Sequence, residues 1–252
     1  MTLGFIGTGT MAAAMVEGLG GEDILLSPRG AEVAAGLAQR FPGVRIAANN
    51  QSVIDGSDMV VLAVRPQVAE AVIRPLNFRP GQTVVSVIAA TRIASLRDWI
   101  GLDLPIIRAI PLPFAATRAS VTPIFPPDAE VTALFNRLGT ALPCATIAEF
   151  DLLAVGSALM GSYFGILETA QGWLVAQGLD DSAARTYLAG LFANLGQVAQ
   201  TSPADFATLR SEHSTPGGLN EQIFRDFTAG GGTAALTFAL DRVLERVRGQ
   251  AG

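Results

Sequence analysis

Lysine is missing from this sequence: all 17 of its Lys+Arg residues are arginine. Arginine stays protonated near neutral pH, so it does not exchange a proton there. The absence excludes Schiff-base catalysis, a P-loop lysine and a lysine general acid from the chemistry of this protein.

Cysteine and histidine are almost as scarce, since the chain has one of each, Cys144 and His213. A lone cysteine excludes an internal disulfide framework. The two residues form no metal-ligand cluster of familiar spacing, so the sequence predicts no metal site. Cys144 is interpreted as a small buried hydrophobic residue.

The charge balance and the position of the first predicted strand set expectations for partners and location. The formal net charge of −5 argues against nucleic acid as the main partner. A first strand predicted from residue 3 leaves no room for a signal peptide, and the apolar stretch Leu152–Val175 carries Glu168 and Gln171, which argues against a membrane span. We expect a soluble cytoplasmic protein without a membrane partner.

What the N-terminus does contain is a glycine-rich turn between a short apolar strand and a helix. Gly7, Gly9 and Ala12 match the spacing G-x-G-x-x-G/A of dinucleotide-binding proteins. Gly7 allows the tight turn, Gly9 lets a pyrophosphate approach the backbone, and Ala12 lets the helix pack closely on the strand. The helix N-terminus after the turn offers unpaired N–H groups to an anion.

The chain then repeats this strand-then-helix pattern. Further strands are predicted at Ile24–Leu26, Val44–Ile46, Met59–Val64, Thr83–Ile88 and Leu104–Ile110, and helices at Ala31–Phe41, Gln67–Leu76 and Ile93–Ile100. This alternation predicts an α/β fold, with a Rossmann-type dinucleotide-binding domain over residues 1–150.

From about Asp151 the alternation ends. A long Ala/Leu/Gly-rich segment, Asp151–Ala176, is followed by helices predicted at Ser182–Gln200, Pro203–Ser211, Pro216–Thr228 and Thr233–Val247. Apolar residues occur on more than one helix face, as in helices that pack around a shared core. We therefore predict an all-α dimerisation and substrate domain over residues 151–252, and a homodimer or higher homo-oligomer.

The predicted cofactor site lies beyond the carboxyl ends of the strands. After the second strand, where NAD-binding proteins carry an acidic residue, this chain has Ser27-Pro28-Arg29, which favours NADP(H) and leaves NAD(H) as the alternative. Asn50 either holds the adenine end or caps the next helix. The predicted cofactor-binding residues are Gly7, Gly9, Thr10, Met11, Ser27, Arg29, Asn50, Ala63, Val64, Arg65, Pro66 and Ala89. Ordinary turns without a ligand explain the composition of the loops about as well.

A second candidate site lies in the segment Ser211–Gln222. Thr215 suits a helix N-cap, Pro216 suits the first helical position, and two glycines leave the first-turn amides uncovered. These features predict a turn that binds the carboxylate of a substrate, with a flexible interhelical loop as the alternative. The predicted substrate-binding residues are Thr215, Pro216, Gly217, Gly218, Leu219 and Asn220.

With both sites assembled, the chain resembles the pyrroline-5-carboxylate reductase family over nearly its full length. The family-like stretches are Gly4–Ala12, Val61–Gln67, Ser86–Ala90 with Ile93–Leu96, and Ser214–Gly218. The resemblance implies NAD(P)H-dependent reduction of a cyclic imine, 1-pyrroline-5-carboxylate, to L-proline. It also implies a cofactor in the N-terminal domain and active sites at the interface of interlocked helical domains.

Three segments depart from the family pattern. Pro111–Phe114 stands in place of Pro-Asn-Thr-Pro, Ser157–Tyr163 in place of a Gly-Ser-Gly-Pro-Ala-Tyr-like segment, and Leu219-Asn220 in place of a threonine pair or Ala-Thr. The cofactor half of the resemblance is intact and the substrate half is altered, so the particular imine stays open.

A protonated imine is already activated towards hydride, so the protein mainly has to hold the donor and acceptor carbons roughly 3–3.5 Å apart. Asn220 is predicted to hydrogen-bond the imine nitrogen or the substrate carboxylate, and His213 to relay a proton. Two other functions stay open: an NADP-binding oxidoreductase resembling the β-hydroxyacid dehydrogenases, and a non-catalytic NADP(H)-binding regulatory protein. The missing lysine counts against the first, because those dehydrogenases are known for a helix lysine that donates a proton.

Overall fold

Within residues 1–249, the part of the chain that the computed structural model describes, eight strands form one sheet in a first packed unit, Met1–Ala154. The strands are β1 (Leu3–Ile6), β2 (Ile24–Leu26), β3 (Val44–Ile46), β4 (Met59–Leu62), β5 (Thr83–Ser86), β6 (Ile106–Ala109), β7 (Ser120–Phe125) and β8 (Gly139–Pro143). Their order across the sheet is β3-β2-β1-β4-β5-β6-β7-β8. Neighbours from β3 to β6 are parallel, β7 runs antiparallel to β6, and β8 is parallel to β7.

Helices connect the strands and leave apolar residues buried on both faces of the sheet. They are α1 (Thr10–Leu19), α2 (Ala31–Arg40), α3 (Asn50–Asp55), α4 (Pro66–Ile73), α5 (Ile93–Ile100), α6 (Ala129–Asn136) and α7 (Ile147–Ser157), with a 3-10 helix at Pro113–Thr117. Successive residues of β4 serve different cores, since Val61 packs in the cluster of Phe5 whereas Val60 packs in the cluster of Ile6. A strand covered on both sides has to be apolar at every position, as Met59–Leu62 is. The predicted α/β fold with a Rossmann-type first domain is confirmed.

Sequence pattern alone does not predict β7, α6 or β8. β7 contains Pro123, and a proline inside an apolar run argues against a strand because it cannot donate to the ladder. In the structure the Pro123 carbonyl accepts from the Ile110 N–H at 3.1 Å, so the strand pairs through its acceptors there. β8 lies at the edge of the sheet, where its own Pro143 is tolerated. Cys144, directly after β8, is buried, as expected.

A second packed unit begins at Val155 and contains α8 (Leu159–Ala176), α9 (Asp181–Thr201), α10 (Phe206–Glu212), α11 (Leu219–Ala229) and α12 (Gly232–Val247). The buried apolar residues of its described part are Val155, Ala184 and Leu188. By contrast, Trp173 and Phe238 are 62% and 68% exposed. A unit that buries so little apolar surface cannot be stabilised by its own core alone.

The Ala/Leu/Gly-rich segment Asp151–Ala176 falls on two helices, the end of α7 and the whole of α8. α7 begins at Ile147, where the Thr146 hydroxyl caps it by accepting from the Glu149 N–H at 3.2 Å. The helix then breaks at Ala158, whose N–H bonds to the Val155 carbonyl three residues back, in 3-10 fashion. The division between the packed units falls inside α7, and the predicted domain limits of 1–150 and 151–252 stay a prediction.

By length and composition, α7 and α8 together are also apolar enough to cross a membrane. Among the described residues, Ile147–Ala176 is the one helical stretch with this property, at a mean hydropathy of 1.5 and with 11% of its most apolar window buried. Exposed apolar helices are equally expected where a chain pairs with a second copy of itself. Hydropathy alone therefore does not decide between the two.

Candidate cofactor site and substrate turn

The glycine turn between β1 and α1 has the backbone that the motif requires. Gly7 has a φ of +99°, and a Cβ on it would lie 2.6 Å from the Ala63 carbonyl oxygen, so no other residue fits without a shift. A Cβ on Gly9 would meet no atom within 4 Å, which means that the space above the turn is open. Ala12 is fully buried against the strand. This open space above bare backbone is where a pyrophosphate fits.

Ser27 supports the turn from below. It is fully buried, its hydroxyl oxygen accepts from the Gly7 N–H at 2.9 Å, and its carbonyl accepts from the Thr8 hydroxyl at 2.9 Å. Ser27 thus positions the turn through contacts inside the protein, and its direct contact with the cofactor stays a prediction. Sequence reasoning missed Thr8, whose signal was its place between the two glycines.

Three helices point uncapped N-termini at one cavity in this unit. The N-cap residues of α1, α2 and α4 are Gly9, Gly30 and Arg65, none of them caps its helix through a side chain, and all three line the cavity. Two other helices of the unit differ, since Asn49 caps α3 and Asp128 caps α6, whereas α5 also lacks a side-chain cap but its N-cap residue does not line the cavity. Unpaired first-turn N–H groups and the positive ends of helix dipoles favour an anion.

The cavity measures about 260 Å³ and its lining contains no acidic residue. Arg29 and Arg65 both line it, and their side chains make no hydrogen bond or ion pair with another residue in 1–249. The full lining is Gly7, Thr8, Gly9, Arg29, Gly30, Ala63, Val64, Arg65 and Val68. The geometry fits the phosphates of a dinucleotide, with two free guanidinium groups for their charge.

Six predicted cofactor residues thus meet at the cavity, and the others lie elsewhere. Thr10 and Pro66 are the first residues of α1 and α4, and Met11 follows Thr10 in α1. Asn50 and Ala89 are outside the lining. The capping role considered for Asn50 is wrong, because the preceding residue, Asn49, accepts the Ser52 N–H at 2.9 Å. Gly30 and Val68 line the cavity without having been predicted: Gly30 directly follows Arg29, and Val68 lies in the first turn of α4.

In the second unit, the helix start predicted at Thr215 and Pro216 is wrong. α11 begins at Leu219, and Gly218 is its N-cap. The Gly218 N–H bonds to the Thr215 carbonyl at 2.8 Å, which closes a turn, and Gly217 has a φ of +71°, which no helical residue adopts. The two glycines precede the helix instead of forming its first turn, and the substrate-binding role of Thr215–Asn220 stays a prediction.

Side chains of α11 fold back onto this turn. Glu221 accepts from the Gly217 N–H at 2.7 Å, and Asn220 donates its amide N–H to the His213 carbonyl at 2.7 Å. A carboxylate of the chain itself therefore occupies one of the amides predicted to bind a substrate carboxylate. The amides at the start of α11 follow an N-cap without a side-chain cap.

His213 and Asn220 keep one free polar atom each for chemistry. His213 Nδ1 lies 2.8 Å from the Leu209 carbonyl oxygen, so the neutral ring carries its proton on Nδ1 and leaves Nε2 as an acceptor. Asn220 uses its NH₂ group on the His213 carbonyl and retains its Oδ1 acceptor. Both residues are exposed.

The loop after β6 is one of the segments in which the chain departs from the family pattern. It leads into the 3-10 helix Pro113–Thr117, in which the side chain of Phe114 is exposed. Before this loop, Arg108 is buried, with its guanidinium carbon 4.6 Å from the ring centroid of Phe150. Burial lowers the pKa of Arg108, the carboxylate of Asp151 opposes that shift, and the charge of Arg92 adds to it. This cation–π contact joins β6, which carries Arg108, to the N-terminal part of α7, which carries Phe150.

Residues 1–249 contain no group of three His, Cys, Asp or Glu side chains placed to hold a metal ion. Fold and site together define the class: an oxidoreductase with a Rossmann-type dinucleotide-binding unit and a separate helical unit.

Comparison with known proteins shows what the chain is similar to. The family model described as NADP oxidoreductase coenzyme F420-dependent matches residues 2–90, and the model for pyrroline-5-carboxylate reductase dimerisation matches residues 151–250. A pyrroline-5-carboxylate reductase of Pseudomonas aeruginosa is 29% identical, over 97% of this chain and 94% of that protein. The chain is therefore similar to pyrroline-5-carboxylate reductases over nearly its full length.

Solved structures agree on the fold. The 1-pyrroline-5-carboxylate reductase of Streptococcus pyogenes superposes with a TM-score of 0.87 at 24% identity, covering 99% of this chain and 98% of that one. A pyrroline carboxylate reductase of Plasmodium falciparum, solved with NADP bound, gives a TM-score of 0.84 at 15% identity and covers 100% of this chain and 98% of that one.

Proposed function

We propose that this protein is an NADPH-dependent reductase of a small cyclic imine carboxylate, acting on 1-pyrroline-5-carboxylate to form L-proline. The observation that carries the proposal is the cavity above the Gly7–Gly9 turn, with two unpaired arginines and three uncapped helix N-termini. Arg29 after β2 supports NADPH over NADH, because a guanidinium matches a phosphate and no carboxylate is present in the lining for the ribose hydroxyls. Similarity to named reductases over 97% of the chain supports the substrate class.

When bound, NADPH would supply a hydride to the imine carbon; because the imine is protonated, this hydride neutralises the positive charge and gives the amine. A protonated imine is a hydrogen-bond donor, and the free Oδ1 of Asn220 is suited to accept that bond. His213 offers its Nε2 to exchange a proton with the substrate or product, since Nδ1 is held by the Leu209 carbonyl.

The proposal includes a cytoplasmic homodimer or larger homo-oligomer without a nucleic-acid or membrane partner. The dimerisation-family match over residues 151–250 supports self-association, and so do the exposed aromatic residues of the second unit. In this view, α7 and α8 are apolar because they meet another copy of the chain.

The test is turnover with the full-length protein. We expect 1-pyrroline-5-carboxylate to cause oxidation of NADPH and formation of proline, followed by nicotinamide absorbance and by amino-acid analysis. Gly9→Val is the matched inactive variant: a Cβ at this position would meet no protein atom within 4 Å, so we expect the chain to fold while the branched side chain fills the space for the pyrophosphate.

Other outcomes separate the alternatives. Tight NADPH binding without turnover of any imine in a panel of five- and six-membered rings would favour a non-catalytic binding protein. Oxidation of β-hydroxy acids with NADP⁺ would favour the dehydrogenase alternative. Equal turnover by Gly9→Val would show that the activity came from a contaminant.

A further inference from the structure

We propose that a cavity between α10 and α11 binds a small amino acid in its zwitterionic form. The cavity measures about 380 Å³ and lies entirely in the second unit. It is separate from the cofactor cavity, so this site goes beyond the proposed function. Its lining is Arg210, Ser211, Ser214, Glu221, Phe224 and Arg225.

The local sequence places these side chains on facing surfaces. Glu221, Phe224 and Arg225 occupy positions i, i+3 and i+4 of α11, a spacing that puts side chains on one face of a helix. Arg210 lies in the last turn of α10, and its carbonyl accepts from the Ser214 hydroxyl at 2.7 Å. This bond holds the loop after α10 against the helix end, so both walls of the cavity are defined.

Arg210 is held in place by an aromatic ring. Its guanidinium carbon lies 4.7 Å from the centroid of the Phe224 ring. A cation–π contact uses the flat face of the guanidinium and leaves the N–H groups at its edge available. Within residues 1–249, the Arg210 side chain forms no ion pair with an acid. It therefore offers a positioned positive charge to a ligand carboxylate.

The opposite charges on α11 are kept apart, although their spacing would let them pair. A glutamate four residues before an arginine favours an ion pair on a helix. Here Glu221 turns back to accept from the Gly217 N–H at 2.7 Å, and the Arg225 Nε donates to Asp226 at 3.1 Å. The cavity is thus lined by one carboxylate and two guanidinium groups that are not paired with one another.

This arrangement of charges selects the class of ligand. The two guanidinium groups and the Ser211 hydroxyl suit a carboxylate, and the second oxygen of the Glu221 carboxylate suits an ammonium group. A simple anion would be repelled by the glutamate, and a simple cation by the arginines. A zwitterion satisfies both, and the Phe224 ring, 39% exposed, offers a surface for its apolar part.

The experiment is a titration of the isotope-labelled full-length protein, free of cofactor, followed by backbone amide NMR. The probe is L-proline, which carries both charges on a small apolar ring. We expect saturable shifts at Ser211 and Arg225, with a Kd in the millimolar range because the charged groups are exposed. Acetate has only the carboxylate and pyrrolidine only the ammonium group, so each should bind at least about tenfold more weakly.

Two variants each remove one charge from the cavity. Arg225→Gln and Glu221→Gln should both weaken L-proline by about tenfold, and the glutamine at 221 can still accept from the Gly217 N–H. Arg225→Gln should keep turnover of 1-pyrroline-5-carboxylate within about twofold, because Arg225 is an exposed residue outside the cofactor cavity and the substrate turn. Arg242→Gln is the matched control: Arg242 is exposed on α12, outside the lining, and should bind L-proline like the wild type.

Shifts confined to the turn Thr215–Asn220 and unchanged in Arg225→Gln would overturn the proposal, because they would place L-proline at the substrate turn. Equal binding of acetate and L-proline would overturn it too, since it would reveal a site for any anion. The absence of saturable shifts would do the same. All three results would leave the reductase function standing, because NADPH turnover by the wild type is measured separately. A wild type that binds L-proline in the cavity but reduces no imine would support this site and overturn the reductase function alone.

Discussion

Ala90, in the loop after β5, has a backbone that suits glycine better than alanine. Its φ of +52° lies in the left-handed region, which costs a residue with a Cβ roughly 1–2 kcal/mol. Ala90→Gly should therefore stabilise the protein, by about 0.5–1 kcal/mol after the extra freedom of glycine in the unfolded chain is subtracted. Urea unfolding followed by circular dichroism measures the change.

The matched control for Ala90→Gly is Ala133→Gly. Ala133 is exposed inside α6, where glycine costs roughly 0.5–1 kcal/mol, so this variant should lose stability. If both substitutions lowered the unfolding midpoint alike, the strain assigned to Ala90 would be absent.

Single residues also mark the limit of what the sequence could predict at the cofactor site. Gly7 and Gly9 were predictable because their spacing is that of a tight turn whose backbone a pyrophosphate approaches closely, and few residues other than glycine fit these positions. The support that Ser27 gives to the turn was not predictable, since a hydroxyl at the end of β2 can point to a ligand or back to the Gly7 N–H, as it does here. Only the three-dimensional path of the turn decides that direction.

At the scale of elements, aspartate caps give α9 and α10 a dependence on pH. Asp180 accepts from the Ser182 hydroxyl and the Ala183 N–H, and the hydroxyl bond is the main reason why the pKa of Asp180 lies below its usual value. The Thr208 N–H, 2.7 Å from Asp205, lowers the pKa of that carboxyl in the same way. A carboxyl with a lowered pKa stabilises the fold above its unfolded value and loses that effect as pH falls through the folded pKa.

We expect wild-type stability to fall as pH drops below about 5, and the double variant Asp180→Asn, Asp205→Asn to lose less over the same range. Asparagine still caps a helix but does not titrate. Urea midpoints measured at a series of pH values test this. Asp241→Asn, an exposed position in α12, is the control and should follow the wild-type curve. An identical acid slope in the double variant and the wild type would contradict the role of the caps.

Element boundaries show why part of the second site escaped prediction. The β2, β3 and α5 ranges follow from hydrophobic pattern alone and match the structure. At 215–218, Thr-Pro-Gly-Gly is compatible both with a helix start and with a turn before a helix. Two observations show that the chain forms a turn here: Gly217 has a φ of +71°, and its N–H donates to the Glu221 carboxylate. Both depend on three-dimensional contacts that the hydrophobic pattern of the sequence does not encode.

At the scale of the whole molecule, the exposed aromatic residues of the second unit predict self-association. Trp173 is 62% exposed on α8, and Trp173→Glu should weaken a dimer by at least about 30-fold, as expected for loss of an aromatic interface anchor worth 2 kcal/mol or more. Sedimentation velocity at micromolar concentration should show a dimer or larger species for the wild type and a shift toward monomer for the variant.

Val33→Glu is the control for this prediction, because Val33 is 40% exposed but lies on α2 in the first unit. It should sediment like the wild type. A chain ending at residue 150 should be monomeric and retain affinity for NADPH, which also tests the predicted domain limits. A monomeric full-length wild type would refute the assembly prediction.

The separation of the chain into two packed units has a genetic consequence. The glycine turn and its arginines lie in Met1–Ala154, whereas the exposed apolar helices lie beyond Val155. A substitution confined to the turn leaves the assembly surface intact, so an impaired chain would still be built into complexes with normal copies. In a cell that expresses a normal allele and an allele with such a substitution, many assemblies would contain one defective subunit. If catalysis needs every subunit of an assembly to be functional, the loss of activity caused by that allele would be dominant.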